Sequence, residues 1–366
     1  MQQQLMGVEK HELDTPILCI DLDVMQANMA EMARFITSHG VAWRPHQKCH
    51  KTPAIAQLQM DAGAIGVTCA KVSEAEVMAA GGVRDILIAN MIVGDPKLQR
   101  LAALCHTADP IVACDHFVQA EALAAKCREQ GVSCRAIVEV NVGLDRVGAQ
   151  PGQDTLQLAQ AIDGLDGLTL AGIMGYEGHL LQLEDPQEKQ QQISEAMGVL
   201  RHCRDQMLER GLCCDIVSAS GTGSYQYSCA CEGVTEVQAG GGIFADPMYQ
   251  LNMGVKGLDY ALTVLATVVS RPALDRAVLD CGRKALNPDH QAAIVKDKPD
   301  AEVLRVSAEH CEIQLGEASR DLQIGDKLEL IVGYADFTTV LHDNFYGFHD
   351  NRLAVVWPIL GRGKLQ

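Results

Sequence analysis

Residues 43–51 concentrate side chains that can do chemistry in a chain that is otherwise acidic. Their sequence, WRPHQKCHK, contains two lysines, two histidines and an arginine. A lysine amine can attack a carbonyl carbon, and a neighbouring histidine can move protons. An apolar run precedes the segment and Thr52-Pro53 opens a helix after it, so Lys48 is expected where a strand ends and a helix begins. A basic surface loop is the alternative, and these residues alone do not decide between the two.

Apolar, strand-like runs alternate with helical stretches from residue 15 to residue 257. Seven or eight such units at a spacing of roughly 25–40 residues are typical of parallel α/β folds. The pattern predicts an α/β fold, a (β/α)8 barrel of the TIM type over residues 15–257. An open doubly wound sheet stays an alternative, although no GxGxxG sequence follows the first strand.

The pattern changes after residue 257. Short strand-like runs are then joined by Gly, Pro and Asp turns, which predicts an all-β domain over residues 258–366. We expect residues 1–14 to belong to this domain and its first strand to pair with the N-terminal segment.

Chemistry in a parallel barrel gathers at the carboxyl ends of the strands. The residues expected there are Lys48, Asn90, Arg146 and residues 176–179, 220–224 and 240–242. Glycine-rich segments let backbone N–H groups approach an anion closely, so the last two segments predict a phosphate site. A lysine amine opposite a phosphate-binding loop suggests pyridoxal 5'-phosphate, with Lys48 as the Schiff-base residue. Arg146 would hydrogen-bond the phenolic oxygen of this cofactor, and a salt bridge at the barrel rim is its alternative role.

Composition excludes several classes of function. The formal net charge of −17 argues against general binding of nucleic acids, which needs a basic surface. No run of apolar residues approaches the roughly 20 that a membrane span requires. The N-terminal sequence has no apolar signal region, so the 14 cysteines are expected to be reduced thiols of a cytoplasmic protein.

Several motifs together resemble those of the D-threonine aldolase/D-serine dehydratase-like family. They are RPHQKCHKTP, GVTCAKVSEAEVMAAGGVRDILIAN, EVNVGLDRVG, SGTGSY, EVQAGGG and LDCGRK, and they extend over essentially the whole chain. The resemblance implies a pyridoxal-phosphate enzyme with an alanine-racemase-type barrel and a β-domain. It also implies a homodimer in which the β-domain of one subunit completes the site of the other.

The resemblance assigns residues as well. It makes Lys48 the Schiff-base lysine and Arg146 the arginine at the cofactor oxygen, and Tyr176 matches a residue that lines the pocket. The phosphate positions correspond to Gly221, Thr222, Gly240 and Gly241.

One position departs from the family pattern. Members that cleave or dehydrate β-hydroxy amino acids hold a divalent metal with a His-x-Asp or His-x-Cys pair shortly before an LHD sequence. This chain has Leu341-His342-Asp343, but Tyr334 stands where the histidine is expected and Asp336 where the second ligand is expected. A neutral phenol, with a pKa of about 10, is a poor ligand for Mn²⁺, Mg²⁺ or Zn²⁺, and Asp336 alone would hold a metal loosely.

Three functions remain open from the sequence. The first is a lyase that acts on β-hydroxy D-amino acids as an aldolase or dehydratase, with Tyr334, beside the cationic Lys48 and His46, taking the hydroxyl proton. The second is a two-base amino-acid racemase or epimerase that uses Lys48 and Tyr334. The third is a pyridoxal-phosphate-binding protein without turnover, although the short relatives of this kind lack a β-domain.

Overall fold

The computed structural model describes residues 6–366, and of the segment predicted to join the β-domain, residues 1–5 lie outside this range. Strands and helices alternate through the first two thirds of the chain. In order they are β1 (Ile17–Asp21), α1 (Leu22–Ser38), β2 (Ala42–Trp43), α2 (Pro53–Asp61), β3 (Val67–Cys69), α3 (Val72–Ala80), β4 (Asp85–Ile88), α4 (Asp95–Leu104), β5 (Asp109–Cys114), α5 (Phe117–Gln130), β6 (Cys134–Glu139), α6 (Gln153–Asp163), β7 (Leu168–Gly175), α7 (Pro186–Glu209), β8 (Ile216–Ala219), α8 (Tyr225–Ser228) and β9 (Glu236–Val237).

The last third consists mainly of strands. They are β10 (Leu262–Ala273), β11 (Arg276–Leu279), β12 (Ile294–Val295), β13 (Ala301–Val306), β14 (Cys311–Leu315) and β15 (Lys327–Ile331), followed by helix α9 (Ala335–Thr339) and by strands β16 (Asn344–His349) and β17 (Arg352–Pro358). None of the helices in residues 6–366 is long and apolar enough to cross a membrane.

One compact unit comprises residues 32–240 and 363–366 and holds a parallel sheet. Its 8 strands lie in the order β2-β9-β8-β7-β6-β5-β4-β3. A parallel bridge between His46 and Thr68 joins the two ends of this order, which closes the sheet toward a barrel. The strands are short and buried on both faces, as parallel strands covered by helices are. The predicted barrel of the TIM type is confirmed.

The other compact unit comprises residues 6–31 and 241–362 and holds a 9-stranded, mostly antiparallel sheet. Strand β1 pairs antiparallel with β10 and parallel with β16. The strand that pairs with β10 is thus β1 at residues 17–21, which lies outside the N-terminal segment of residues 1–14 for which this pairing was predicted; within that segment, Glu9 forms an antiparallel bridge with Arg352 of β17 instead. A small core of this unit is formed by Leu13, Cys19, Leu265, Phe348 and Leu353.

The strand at residues 17–21 requires a correction. The sequence pattern placed it at the start of the barrel, because it precedes an amphipathic helix as a barrel strand would. It belongs instead to the antiparallel sheet. The compact units divide the chain at residues 31/32 and 240/241, whereas the predicted domains divide it at residue 257/258.

Candidate active site

Lys48 lies in a single 3-10 turn, Gln47–Cys49, that follows β2. His46 begins this turn, and its Nδ1 accepts a hydrogen bond from the backbone N–H of Lys48 at 3.3 Å. The backbone of His46 is fixed in turn, because its N–H donates to the carbonyl of Gln238 at 3.0 Å. A Cβ at Gly240 would lie 2.2 Å from the carbonyl oxygen of His46, so only glycine fits there. This close approach explains a glycine that the sequence assigned to phosphate binding.

Positive charge gathers around His46. Burial lowers the pKa of His46 well below its usual range, and the nearby charges of Lys48, Lys51, Arg146 and His50 lower it further. The imidazole is therefore neutral at pH 7, with Nδ1 as the acceptor, so the expectation of a cationic His46 was wrong. A region with this many cations attracts an anionic ligand.

Two buried glutamines stabilise the same turn through hydrogen bonds. The side-chain amide of Gln47 donates to the carbonyl of Pro45 at 2.8 Å and to Oε1 of Gln59 at 2.9 Å. Both glutamines are fully buried. Lys51, further along, pairs with the buried carboxylate of Glu74.

The loop after β6 carries Arg146. The side-chain oxygen of Asn141 accepts hydrogen bonds from the N–H groups of Gly143 at 3.0 Å and Asp145 at 3.2 Å. Asp115 accepts the N–H of Gly148 at 3.0 Å and so fixes the other end of the loop. The guanidinium carbon of Arg146 lies 5.6 Å from the centre of the Tyr176 ring, within the range of a cation–π contact. The structure therefore brings these two predicted site residues together.

A buried carboxyl ends β6, beneath this loop. Glu139 is 4% exposed, and burial raises its pKa to about 7, although the charge of Arg146 acts in the opposite direction. Sequence reasoning overlooked this residue. Its signal was a single charge in the apolar run AIVEV.

The segment 220–224 forms a tight glycine loop after β8. Ser220 has a φ of +67°, a conformation that L residues rarely adopt, and its hydroxyl lies 2.9 Å from that of Ser224. A Cβ at Gly221 would lie 3.2 Å from Cε2 of Tyr176, so the ring packs directly on this glycine. Thr222 is buried in the same loop.

Three predicted site residues belong to the other unit: Gly241, Tyr334 and Asp336. A Cβ at Gly241 would lie 2.5 Å from the hydroxyl of Tyr249, so Gly241 packs against that ring. The hydroxyl of Tyr334 donates to Oδ2 of Asp336 at 3.1 Å. The tyrosine and the carboxyl thus form a hydrogen-bonded pair at the start of α9.

Tyr334 and Asp336 offer one neutral phenol and one carboxylate, which is a poor set of ligands for a divalent metal. Within residues 6–366, no group of three or more His, Cys, Asp or Glu side chains is arranged to hold a metal ion. The Nε2 of His342, the histidine of the LHD sequence, lies 2.7 Å from the carbonyl oxygen of Ala285, so this nitrogen donates a hydrogen bond and has no lone pair for a metal.

The residues of the barrel unit do fit a phosphate-bearing aldehyde such as pyridoxal 5'-phosphate. The donor set consists of an amine at Lys48, cations around His46, and a glycine loop with a buried hydroxyl at Thr222. Amine, cationic surroundings and close backbone approach are what such a group requires.

Known proteins resemble this chain over nearly its whole length. The profile of the family described as "Alanine racemase, N-terminal domain" matches residues 20–247, and that of "Putative serine dehydratase domain" matches residues 261–348. A 3-hydroxy-D-aspartate aldolase of Paracoccus denitrificans is 31% identical over 98% of this chain and 95% of its own length. A D-threonine aldolase of an Arthrobacter species is 33% identical over 96% of this chain and 93% of its own length.

A solved structure resembles this chain over nearly its whole length as well. The crystal structure of D-threonine aldolase from Filomicrobium marinum superimposes with a TM-score of 0.96 at 34% identity and covers 99% of both chains. The chain therefore belongs to the D-threonine aldolase/D-serine dehydratase-like family, whose members join an alanine racemase N-terminal domain to a serine dehydratase-type domain.

Proposed function

We propose that the protein is a pyridoxal-phosphate-dependent lyase that acts on β-hydroxy D-amino acids. The reaction is either retro-aldol cleavage to glycine plus an aldehyde, or dehydration of D-serine or 3-hydroxyaspartate. The observation that carries this proposal is the concentration of cations around the Lys48 turn at the end of a parallel barrel strand, in a chain of this family.

Residues of this chain would hold the cofactor as follows. Lys48 would bind it covalently through its amine, Arg146 would hydrogen-bond its phenolic oxygen, and Tyr176 would line the pocket. Its phosphate would be held by Gly221, Thr222, Gly240 and Gly241. When bound, the cofactor supplies a sink for the electron pair that is left on the substrate α-carbon.

His46 has a supporting part in this proposal. Its pKa is lowered well below the usual range, so the neutral ring keeps Nδ1 as an acceptor for the N–H of Lys48. This contact holds the turn that presents the lysine. It also leaves the imidazole uncharged, which limits the positive charge beside the amine.

Tyr334 and Asp336 take the place of the usual metal pair. The oxygen of Tyr334 accepts the proton of the substrate β-hydroxyl as the bond between the α- and β-carbons breaks, and the phenol proton moves to Asp336. The hydrogen bond from Tyr334 to Asp336, at 3.1 Å, supports this route because the phenol proton is already directed at the carboxylate that would receive it.

A product assay tests the function. The purified protein is given D-threonine, D-serine and D-3-hydroxyaspartate, once after chelation and once with added Mn²⁺. We expect glycine and an aldehyde, or glyoxylate, to form and the activity to survive chelation. Activity that requires Mn²⁺ would contradict the role proposed for Tyr334 but not the lyase.

A racemase is the second candidate, because a tyrosine at position 334 suits a two-base reaction as well. Running the assay in deuterium oxide separates the two. Deuterium at the α-carbon of recovered substrate, without glycine or ammonia, would favour the racemase. No turnover with any substrate, despite bound cofactor, would leave a non-catalytic binding protein.

We also propose a cytoplasmic homodimer with a cofactor-binding domain and a β-domain. The sequence placed these domains at residues 15–257 and at residues 258–366 with 1–14, and the compact units move residues 15–31 and 241–257 to the β-domain. The family resemblance supports the dimer and the domains. The free state of the cysteines supports a reducing compartment.

A further inference from the structure

Two charged residues beside the turn that carries Tyr176 are buried. Glu177 is 0% exposed and Lys189, on α7, is 2% exposed. Burying a charge costs several kcal/mol unless it is paired, so such residues are rarely placed inside a protein without a partner. Neither residue has a part in the proposed reaction.

Glu177 connects the Tyr176 turn to the glycine loop. Its Oε1 accepts a hydrogen bond from the hydroxyl of Ser228 at 3.0 Å. Ser228 ends α8, the short helix that follows the glycine loop, and its N–H donates to the carbonyl of Ser224 at 3.0 Å. The hydroxyl of Ser224 lies 3.4 Å from the N–H of Gly221. A chain of hydrogen bonds thus runs from the residue after Tyr176 to the glycine beneath its ring.

Lys189 ties the same two segments to α7. Its Nζ donates to the carbonyl of Leu181 at 2.7 Å and lies 5.6 Å from the centre of the Tyr227 ring. Burial lowers the pKa of Lys189 to about 8, and the charge of Glu177 acts in the opposite direction. Leu181 closes the turn after β7, and Tyr227 belongs to α8. The lysine therefore contacts the turn after β7 and helix α8, the same two segments that the hydrogen bond of Glu177 connects.

We propose that Glu177 and Lys189 are positioning residues of the phosphate site. They hold the Tyr176 ring and the glycine loop in register, so that Gly221 and Thr222 meet the phosphate together. This inference rests on the proposed binding of pyridoxal 5'-phosphate. Neither residue is among those proposed to hold the cofactor, and both would act through Tyr176 and residues 220–224.

A second buried ion pair, in the other unit, provides a matched control. Glu329 of β15 accepts hydrogen bonds from Nζ of Lys10 at 3.1 Å and from the hydroxyl of Thr263 at 2.6 Å. Lys10 is 7% exposed. These partners belong to the unit of residues 6–31 and 241–362, whereas the glycine loop belongs to the barrel unit. Removing the charge of Glu329 is therefore expected to lower stability and to leave the glycine loop unchanged.

The experiment compares two ligands that differ only in the phosphate. Full-length protein is freed of cofactor, and the dissociation constants of pyridoxal 5'-phosphate and of pyridoxal are measured for the wild type, Glu177→Gln, Lys189→Met and Glu329→Gln. We expect the preference for the phosphorylated ligand to fall roughly tenfold in the first two variants, which is the lower end of the loss found when residues that support metal ligands are mutated. Glu329→Gln should lower the midpoint of thermal unfolding but keep the preference.

A merely structural pair gives a different result. Lower thermal stability of Glu177→Gln and Lys189→Met with an unchanged ratio of the two dissociation constants would overturn the inference. If Lys189→Met does not fold, Ser228→Ala removes one hydroxyl of the same chain of hydrogen bonds and should reduce the ratio by a smaller factor. A wild type that binds neither ligand, or both equally, would instead contradict the proposed cofactor site itself.

Discussion

A single side chain, Tyr334, separates this protein from the metal-binding pattern that its family resemblance implies. Its hydroxyl donates to Asp336, so the carboxylate that would bind a cation is engaged with a phenol proton. An imidazole at this position would instead offer a lone pair to a metal. The proton transfer that we propose for Tyr334 therefore depends on the residue type at this one position.

Two substitutions at position 334 test this dependence. We expect Tyr334→Phe to lose most lyase activity, by about 10²-fold or more, because the acceptor of the hydroxyl proton is removed. Tyr334→His recreates a His-x-Asp pair, and its activity should rise with Mn²⁺ and fall after chelation. Cofactor absorbance serves as the control, since Lys48 is unchanged. Full activity of Tyr334→Phe would show that this phenol takes no proton.

Glu139 gives a prediction about pH. Its ordinary pKa of 4.5 rises to about 7 in the folded protein, so the folded state holds this proton more tightly than the unfolded chain. Its contribution to stability is full below about pH 4.5 and is lost as the pH rises through about 7. A shift of this size corresponds to about 3 kcal/mol.

The comparison of Glu139→Gln with the wild type isolates that contribution. Urea unfolding is measured at pH 5 and pH 8. The free energy of unfolding of the variant, relative to that of the wild type, should be higher at pH 8 than at pH 5, by up to about 3 kcal/mol. Asp109→Asn changes an exposed carboxyl of the same sheet and provides the control. A difference between Glu139→Gln and wild type that is the same at both pH values would contradict a raised pKa.

At the scale of elements, the turn before α9 depends on one buried carboxylate. Asp246 is 2% exposed, and its two oxygens accept the N–H groups of Tyr249 at 3.1 Å and Ala335 at 2.8 Å. It thereby fixes the residue between Tyr334 and Asp336. An amide at this position offers one acceptor instead of two.

We expect Asp246→Asn to lower the free energy of unfolding by about 1–3 kcal/mol, because one buried N–H loses its acceptor. Urea unfolding measures this. Asp185→Asn is the control: Asp185 caps α7 by accepting the N–H of Gln187 at 2.8 Å, and asparagine caps about equally well. Equal effects of the two substitutions would show that the second oxygen of Asp246 is not needed.

The elements themselves were largely predictable from the sequence. Buried parallel strands are short apolar runs, and the helices between them have regular apolar faces, so their alternation predicted the barrel. Strand β16 was missed because Asn344–His349 mixes aromatic, polar and glycine residues. Partner strands distant in sequence hold it in place, which no local pattern reveals.

The site was predictable only where chemistry and spacing coincide. The Lys48 turn and the glycine loop follow strands, and their residue types are unusual there. Lys189 gave a weaker signal: it lies on the same stripe of α7 as the buried Ile193, Ala196 and Leu200. A lysine on an apolar stripe indicates burial, but its partner Glu177 is fixed only by the fold.

At the scale of the whole molecule, the cysteines behave as separate thiols. All 14 cysteines lie within residues 6–366 and are free thiols. Of these, only Cys213 is exposed, Cys105 and Cys231 are partly buried, and the others are buried. Titration of the native protein with a thiol reagent should therefore modify about one thiol rapidly, since buried thiols react only when the protein opens. All should react in denaturant. Cys213→Ser should remove the rapid phase, and a rapid phase that persists in this variant would contradict the assignment.

The pairing of β1 with both β10 and β16 also affects the order of events during synthesis. A ribosome releases β1 before the barrel elements, whereas its parallel neighbour Asn344–His349 emerges only after them. Asp23 and His349, which contact each other in the finished protein, are 326 positions apart. The backbone N–H and C=O groups of β1 therefore lack their partner strands while nearly the whole barrel sequence is made. Unpaired strand edges of this kind pair readily with other chains. Slow translation or low chaperone capacity should therefore reduce the yield of this protein before it affects proteins whose early strands find early partners.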